Sequence, residues 1–273
     1  MNPLLPDVYL ANFHSHTYRC HHAEGTEEEY ILRAIDQGYD CLGFADHTPW
    51  PYATDFVSGI RMTVGELDNY IDTLRRLRDK YADRIRIMIG LECEAFPAYF
   101  DWLERTKHDR ELDYVILGNH YDTTDENNGF YFGQSARPRD LERYAQATIY
   151  GMESGLFTYL AHPDLALHRY AKFDSAADEM CRAICEAAQR LNLPLEYNLL
   201  GHKRLETAWA RGYIGYCSPQ FWNVAAQYRV RSIIGVDAHT ADALDCVPLY
   251  ASVREKLGSL GIPVMDVIDG YEK

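Results

Sequence analysis

The segment Asn12-Phe13-His14-Ser15-His16-Thr17-Tyr18-Arg19-Cys20-His21-His22 gathers four imidazoles and a thiol early in a chain with 11 histidines in all. His14 and His16 close the apolar run Val8–Phe13 at a spacing of two. Residues i and i+2 of a strand share a face, so the pair points into one space. The same spacing returns in Asp237-Ala238-His239, after the run Ser232–Val236. Asp46-His47, Glu92, His120 and His162 each stand at or just past the end of another apolar run. Imidazole and carboxylate at one mouth imply a divalent transition metal. Neutral imidazole suits Zn, Fe or Mn, and carboxylates lean towards harder ions. His14, His16, Asp46, His47, Glu92, His120, His162, Asp237 and His239 are too many for one tetrahedral ion. They suit two or three ions, with a carboxylate such as Glu92 bridging.

Taken singly, each residue has a plainer reading. A lone buried histidine such as His120 is more often a satisfied core residue than a ligand. Asp46 and Asp237 could each cap a turn. Joint placement at the ends of six apolar runs is what lifts the set. Cys20 lies near the cluster but reads better as a buried, inert thiol. His21, His108, His168 and His202 read as surface or supporting residues. No Ser/His/Asp or Cys/His nucleophile pattern stands out. The phosphate loops GxGxxG and GxxxxGK[ST] are absent, which weakens a nucleotide-binding sheet.

Those polar ends need strands to carry them. Seven apolar runs read as strands: Val8–Phe13, Cys41–Ala45, Ile85–Leu91, Tyr114–Leu117, Phe157–Ala161, Leu195–Tyr197 and Ser232–Val236. Most are apolar on both faces, as buried parallel strands are. Helical patterns separate them. Thr26 and Glu29 have capping-box spacing before Tyr30–Gln37, with Gly38 as a stop. Thr63 and Glu66 repeat it before a helix to about Tyr81, and Ser175 and Asp178 before one to about Leu191. Ser218-Pro219 is a cap followed by proline at the first helical position. Further helices are expected near Pro138–Met152 and Leu249–Leu257, the latter stopped by Gly258. The irregular stretches Trp50–Arg61 and Tyr121–Pro138 look like loops over a site. Strands alternating with helices give an α/β barrel or a doubly wound sheet, and in a barrel the strand C-termini share one mouth.

The chain has 27 Lys+Arg against 41 Asp+Glu, a net charge of −14. That argues against a stable nucleic-acid partner, which would need spread cationic neutralisation. It leaves room for a small phosphate ester held by metal or a local cationic patch. A hydrophobic fraction of 47% fits a folded core rather than disorder, and 273 residues fit one domain. The first residues lack the charged and apolar regions of a signal peptide, and no apolar run is long enough to span a bilayer. Seven scattered cysteines do not make a disulfide framework. A cytoplasmic location is the expectation, with no membrane partner; oligomeric state is not readable.

The segments HSHTYRCHHAEGTEEEY, GFADHTP, GLECE, LGNHY, AHPD, LEYN and IIGVDAH, in order from residue 14 to 239, resemble the PHP (polymerase and histidinol phosphatase) phosphoesterases. The opening pattern HxHxxxCxHAxG resembles the histidinol-phosphatase-like branch in particular. The resemblance implies a single PHP domain over residues 1–273, a distorted (β/α)7 TIM-like barrel with its metal site at the C-terminal mouth. It implies three divalent ions (Zn, Mn or Fe) on His14, His16, His22, His47, Glu92, His120, His162, Asp237 and His239. His14, His16, Glu92 and Asp237 would take one ion, Glu92, His120 and His162 the second, and His22, His47 and His239 the third. His21 is then a bystander and Cys20 a packing residue. The implied reaction is metal-assisted hydrolysis of a phosphomonoester by a metal-bridging hydroxide, with L-histidinol phosphate the first substrate candidate. Glu92, Asp237 and His239 would be the catalytic residues, and Arg169, then Arg204 and Arg19, the arginines for phosphate. Asn12-Phe13 stands where relatives often carry Asp, and LEYNLLGHKR is variable among them; both put the substrate, not the metal site, in question.

Three other readings compete. A PHP site could serve another small phosphomonoester or a nucleotide phosphodiester. An amidohydrolase-type centre also begins with HxH, but it usually needs a carboxylated lysine where this chain has Asn119-His120. A non-catalytic metal-binding domain would waste a complete ligand set.

Overall fold

In the computed structural model, which describes residues 4, 5 and 7–271, the apolar runs pair in parallel. Strands β1 (Ala11–Asn12), β2 (Cys41–His47), β3 (Arg86–Cys93) and β4 (Tyr114–Leu117) form one sheet in that order. Strands β5 (Leu195–Asn198), β6 (Ser232–Gly235) and β7 (Val264–Met265) form a second. Isolated parallel bridges link them: Leu117 to Leu160, Leu160 to Leu195, and Ser15 to Ala238. The result is an α/β fold with a curled parallel sheet.

Alternation along the strands sorts two packed faces. Leu42, Phe44, Ile87, Ile89, Leu91, Val115 and Leu117 join the large core beneath the helices. Cys41, Ala45, Met88, Tyr114, Ile116, Tyr159, Ala161 and Ile233 form a smaller cluster on the opposite face. His47 continues the parity of Cys41 and Ala45, Glu92 that of Met88, and Asp237 that of Ile233. Period two thus carries the polar residues onto the face of the smaller cluster at the strand C-termini.

The helices are α1 (Glu27–Asp36), α2 (Leu67–Lys80), α3 (Phe100–Asp109), α4 (Pro138–Glu153), α5 (Ser175–Leu191), α6 (Leu199–Ala210), α7 (Pro219–Ala225) and α8 (Val247–Ser259). Thr26 caps α1 with a full capping box, and Ser218 accepts from the Phe221 N–H to cap α7. Four expectations shift. The Thr63 box opens a 3-10 turn, Val64–Glu66, that feeds α2. Asp174, not Ser175, caps α5 by accepting from the Ala177 N–H. Helix α8 runs through Gly258 to Ser259. The run Phe157–Ala161 reduces to the Leu160 bridge, because His162 turns to a left-handed backbone at φ 30° and Pro163 has no N–H to continue a ladder. Helices α3 and α6 and strand β7 lack a sequence signal. Helix α6 starts directly from β5, with Asn198 accepting from the Gly201 N–H at 2.8 Å. No described helix is long and apolar enough to cross a membrane, and all seven cysteines are free and buried.

Candidate metal centre

Two backbone ladders set the register of the ligands. The Ser15–Ala238 bridge locks His14-Ser15-His16 against Asp237-Ala238-His239, through His16 N–H to Ala238 O at 2.8 Å and Ala238 N–H to His14 O at 3.1 Å. In the pairing of β2 with β3, His47 stands directly opposite Glu92. The Glu92 carboxylate is the hub. Its oxygens lie 2.8 Å from His162 Nε2, 3.0 Å from His47 Nδ1, 3.4 Å from His14 Nε2, and 3.5 Å from both His16 Nε2 and His120 Nε2. Asp237 Oδ1 lies 3.3 Å from His16 Nε2 and 3.6 Å from His14 Nε2. The His16 and His239 rings stack at 4.2 Å, and His22 and His239 at 4.9 Å. All nine residues named for the ions therefore meet at one mouth.

Carboxylates behind the imidazoles fix their orientation. His14 Nδ1 faces Glu196 Oε1 at 2.7 Å, His16 Nδ1 faces Asp46 Oδ1 at 3.4 Å, and His120 Nδ1 faces Glu94 Oε1 at 3.5 Å. Such partners orient a ligating ring and raise its basicity. Asp46, counted as a candidate ligand from the sequence, fills this supporting place, held also by the Thr17 hydroxyl. Glu196 and Glu94 escaped sequence reasoning, although period two puts Glu196 and Asn198 on the same face as Glu92. Asn198 Nδ2 ties Glu196 to Asp237, at 2.9 and 3.1 Å.

Buried polar atoms without protein partners test whether cations fit. His14 Nε2, His16 Nε2, His47 Nδ1, His162 Nδ1 and Glu92 Oε2 are buried and make no hydrogen bond. Buried polar groups are normally satisfied, so several unpaired lone-pair donors in one place fit a missing cation. Triplets such as His14, His16 and Asp237, or His16, His47 and His239, have ligand atoms all within 4.8 Å of one another. The residues fit divalent ions. Two of them carry strain: His162 and Asp237 hold left-handed backbone at φ 30° and 55°, a conformation that persists only where its surroundings enforce it.

Without cations the charges settle on the cluster itself. Burial disfavours a charged His14, yet Glu196, Asp237 and Glu92 outweigh it and hold its pKa well above the ordinary value. His16 is raised to about 9, burial being outweighed by Asp237, Asp46 and Glu92. Burial and the nearby His16 charge push His47 down to about 3 and His239 to about 4. Burial opposes ionisation of Glu92 and Asp237 too, but the surrounding imidazoles hold both well below the carboxylate range. Burial lifts the Cys20 thiol to about 12, which keeps it a neutral packing residue.

Close packing protects this order. A Cβ on Gly235 would collide with the Glu196 carboxylate, and one on Gly118 with that of Glu92. Gly235→Ala is expected to displace Glu196, free the His14 ring and cost about 1–3 kcal/mol of stability, the usual penalty of overpacking. Melting and metal analysis of that variant check it; native melting with full metal content would refute the close fit.

This mouth opens into a cavity of about 420 Å³. Ile60, Tyr121, Tyr131, Leu165, Leu200 and Tyr216 line its outer part. The loops expected over the site do cover it, stapled by Asp125, which accepts from the Tyr52 and Ser58 hydroxyls. Under them Arg61, fully buried, pairs with Glu94 at 2.8 and 3.0 Å. Burial raises the Glu94 pKa, but Arg61 and His120 more than reverse this and hold it below its ordinary 4.5. A depressed carboxylate contributes stability that is present above its unfolded pKa and lost as pH falls below it. Arg61→Ala strands that charge and is expected to cost about 3–5 kcal/mol at neutral pH. The gap from the parent should narrow by about pH 4, as Glu94 protonates in the variant. Melting curves at both pH values test this, and a gap that widens in acid would refute it.

The three arginines proposed from the sequence separate. Arg204 lines the cavity. Arg169 does not; it lines a neighbouring cavity that Arg204 also borders. Arg19 is a correction: its buried guanidinium is committed to Glu27 and to Asn69 at 2.8 Å, away from the mouth. An arginine directly after a motif can point either way along a 3-10 turn, and the sequence does not mark which.

The fold and site define an α/β protein with a cluster of metal-binding side chains at its strand C-termini. The chain belongs to the PHP domain family, whose model matches residues 12–199. It is 29% identical over 234 residues to a Deinococcus radiodurans protein named "Probable histidinol-phosphatase", covering 84% of this chain and 86% of that one. It is 23% identical to the Bacillus subtilis protein named "Histidinol-phosphatase", covering 84% and 92%. Among solved structures it is similar to the Lactococcus lactis histidinol phosphate phosphatase complexed with Zn, L-histidinol and phosphate. That similarity has a TM-score of 0.70 at 17% identity and covers 96% and 99% of the two chains.

Proposed function

We propose that this chain is a divalent-metal-dependent phosphomonoester hydrolase, with L-histidinol phosphate as substrate, built on a distorted (β/α)7 barrel. The observation that carries this reading is the Glu92 hub, whose surrounding imidazoles present unpaired nitrogens at the base of an aromatic cavity. The names of the Deinococcus and Bacillus relatives, and the ligands of the Lactococcus structure, support the substrate. His14, His16, Glu92 and Asp237 would hold one ion, Glu92, His120 and His162 a second, and His22, His47 and His239 a third. Zn, Mn and Fe all suit such donors. Bound ions would neutralise the phosphoryl oxygens and lower the pKa of water at the site towards neutrality.

The chain's own groups do the positioning. Glu92, Asp237 and His239 would supply the charge and lone pairs that hold the ions, whose role is to polarise the phosphate ester. Glu196, Asp46 and Glu94 keep the rings aimed. Arg204 offers a bidentate contact to a phosphate oxygen pair. Tyr121, Tyr131 and Tyr216 present flat faces and hydroxyls suited to an imidazole ring. Phosphate release from L-histidinol phosphate, p-nitrophenyl phosphate, a nucleoside monophosphate and a dinucleotide tests the choice. The expected result is a kcat/KM for L-histidinol phosphate at least a hundredfold above the others. Faster cleavage of another monoester or of the dinucleotide would move the same site to that substrate.

A further inference from the structure

The chain changes parity between strand β1 and the first ligands. Ala11 and Phe13 pack in the smaller cluster, so period two would send Asn12, and with it His14, to the opposite face. Yet the His14 ring meets Glu92 at 3.4 Å and Glu196 at 2.7 Å, on the same side as that cluster. The ladder to β2 shows how. Cys41 N–H donates to Leu10 O and Ala45 N–H to Ser15 O, so a step of four residues along β2 answers to five here. One extra residue makes a β-bulge, and a bulge re-aims the side chains beyond it. The Asn12 side chain sits on that bulge, fully buried. Its Oδ1 accepts from the His14 N–H at 3.2 Å, an Asx turn. The same oxygen accepts at 2.8 Å from the Val236 N–H, directly before Asp237 with its left-handed backbone. Its Nδ2 donates to Ser15 Oγ at 2.8 Å and to His14 O at 3.2 Å.

A side-chain amide has two donor hydrogens and two acceptor lone pairs, and here all are used. Buried and saturated, it holds one geometry, because any bond lost leaves a buried group unpaired. Its reach to Val236 also joins the two ligand pairs, beside the Ser15–Ala238 bridge. We propose that Asn12 is a positioning residue of the metal centre. Its amide pins the bulge after β1 and ties it to Val236, so that His14, His16 and Asp237 converge on one ion. Its hydrogen-bonding capacity is taken up by the chain, so it acts through those ligands and not as one. The inference rests on the reading of this cluster as a metal centre.

The test is stepwise removal of metal from the loaded protein by a competing chelator, with bound metal counted at each step. Asn12→Leu removes all the side-chain bonds. Asn12→Ser keeps an oxygen for the local turn to His14 but is too short to reach Val236. Asn12→Asp keeps both acceptances. One equivalent should leave Asn12→Leu roughly tenfold more readily than the parent, and Asn12→Ser roughly threefold, while the remaining metal holds. Asn12→Asp should rescue the site and release metal as the parent does. Ile268→Ala opens a cavity in the same inner cluster and controls for lost stability. It should lower the melting temperature without loosening any ion. Should Asn12→Leu fail to fold, Asn12→Ser decides. Metal release unchanged from the parent in the folded Leu and Ser variants would overturn the proposal. So would equal loosening in Asn12→Asp, or in Ile268→Ala, which would reduce Asn12 to a general support of the fold. A parent that holds no divalent ion would instead refute the metal-centre reading, and the parent's own metal count tells that failure apart.

Discussion

Glu92→Gln is expected to reduce phosphate ester hydrolysis by about a thousandfold or more, equivalent to about 4 kcal/mol of transition-state stabilisation. The substitution is isosteric, so packing around the buried side chain is kept. What disappears is the one charge placed within 3.5 Å of five imidazoles. Two proposed ions depend on that carboxylate, and a neutral amide is a poor bridge between cations. Bound metal should fall by at least one equivalent while the variant stays folded. Its melting temperature in the absence of metal should fall below that of the metal-free parent, because there the Glu92 carboxylate is what the buried imidazolium groups pair with. Full metal content with activity within tenfold of the parent would remove Glu92 from the centre of the site.

Chelation of the parent protein has the second large effect. An ion that binds only the folded state stabilises it by mass action, by about 4 kcal/mol at a thousandfold excess over its Kd. Removing it should lower the melting temperature by roughly 8 °C in a domain of this size. The unpaired imidazole nitrogens and the strained backbone at His162 and Asp237 give the physical reason: cations hold together atoms that otherwise have no partner. Re-addition of Zn, Mn or Fe should restore the transition. A melting curve indifferent to chelator, with metal verifiably removed, would make the cluster a satisfied structural core.

Much of this site is legible in the sequence because strand ends and period two leave a trace. His14 with His16, and Asp237 with His239, declare a shared face by spacing alone, and the bridge at Ser15–Ala238 sets the two pairs side by side. His22 has no such trace; it sits beyond a 3-10 turn, Tyr18–Cys20, and only the family resemblance singles it out. The supporting carboxylates Glu196 and Glu94 are hidden for another reason. A carboxylate in a strand, as Glu196 is, or just past one, as Glu94 is, looks the same whether it orients a ring or caps a turn, and its partner lies far away in sequence. Helix α6 leaves no distinct trace because it follows β5 without a turn, so a single segment carries both periods. Arg169 and Arg204 show the remaining gap: which cavity a long cationic side chain enters depends on the packing of a turn, not on its distance from a motif.

The most direct test is inorganic phosphate release from L-histidinol phosphate by the metal-loaded protein, measured before chelation, after it, and after metal is restored. Rapid release that vanishes on chelation and returns with the metal is the predicted result. Absence of release in the verified metal-loaded state, or release undiminished when the metal is gone, would contradict it.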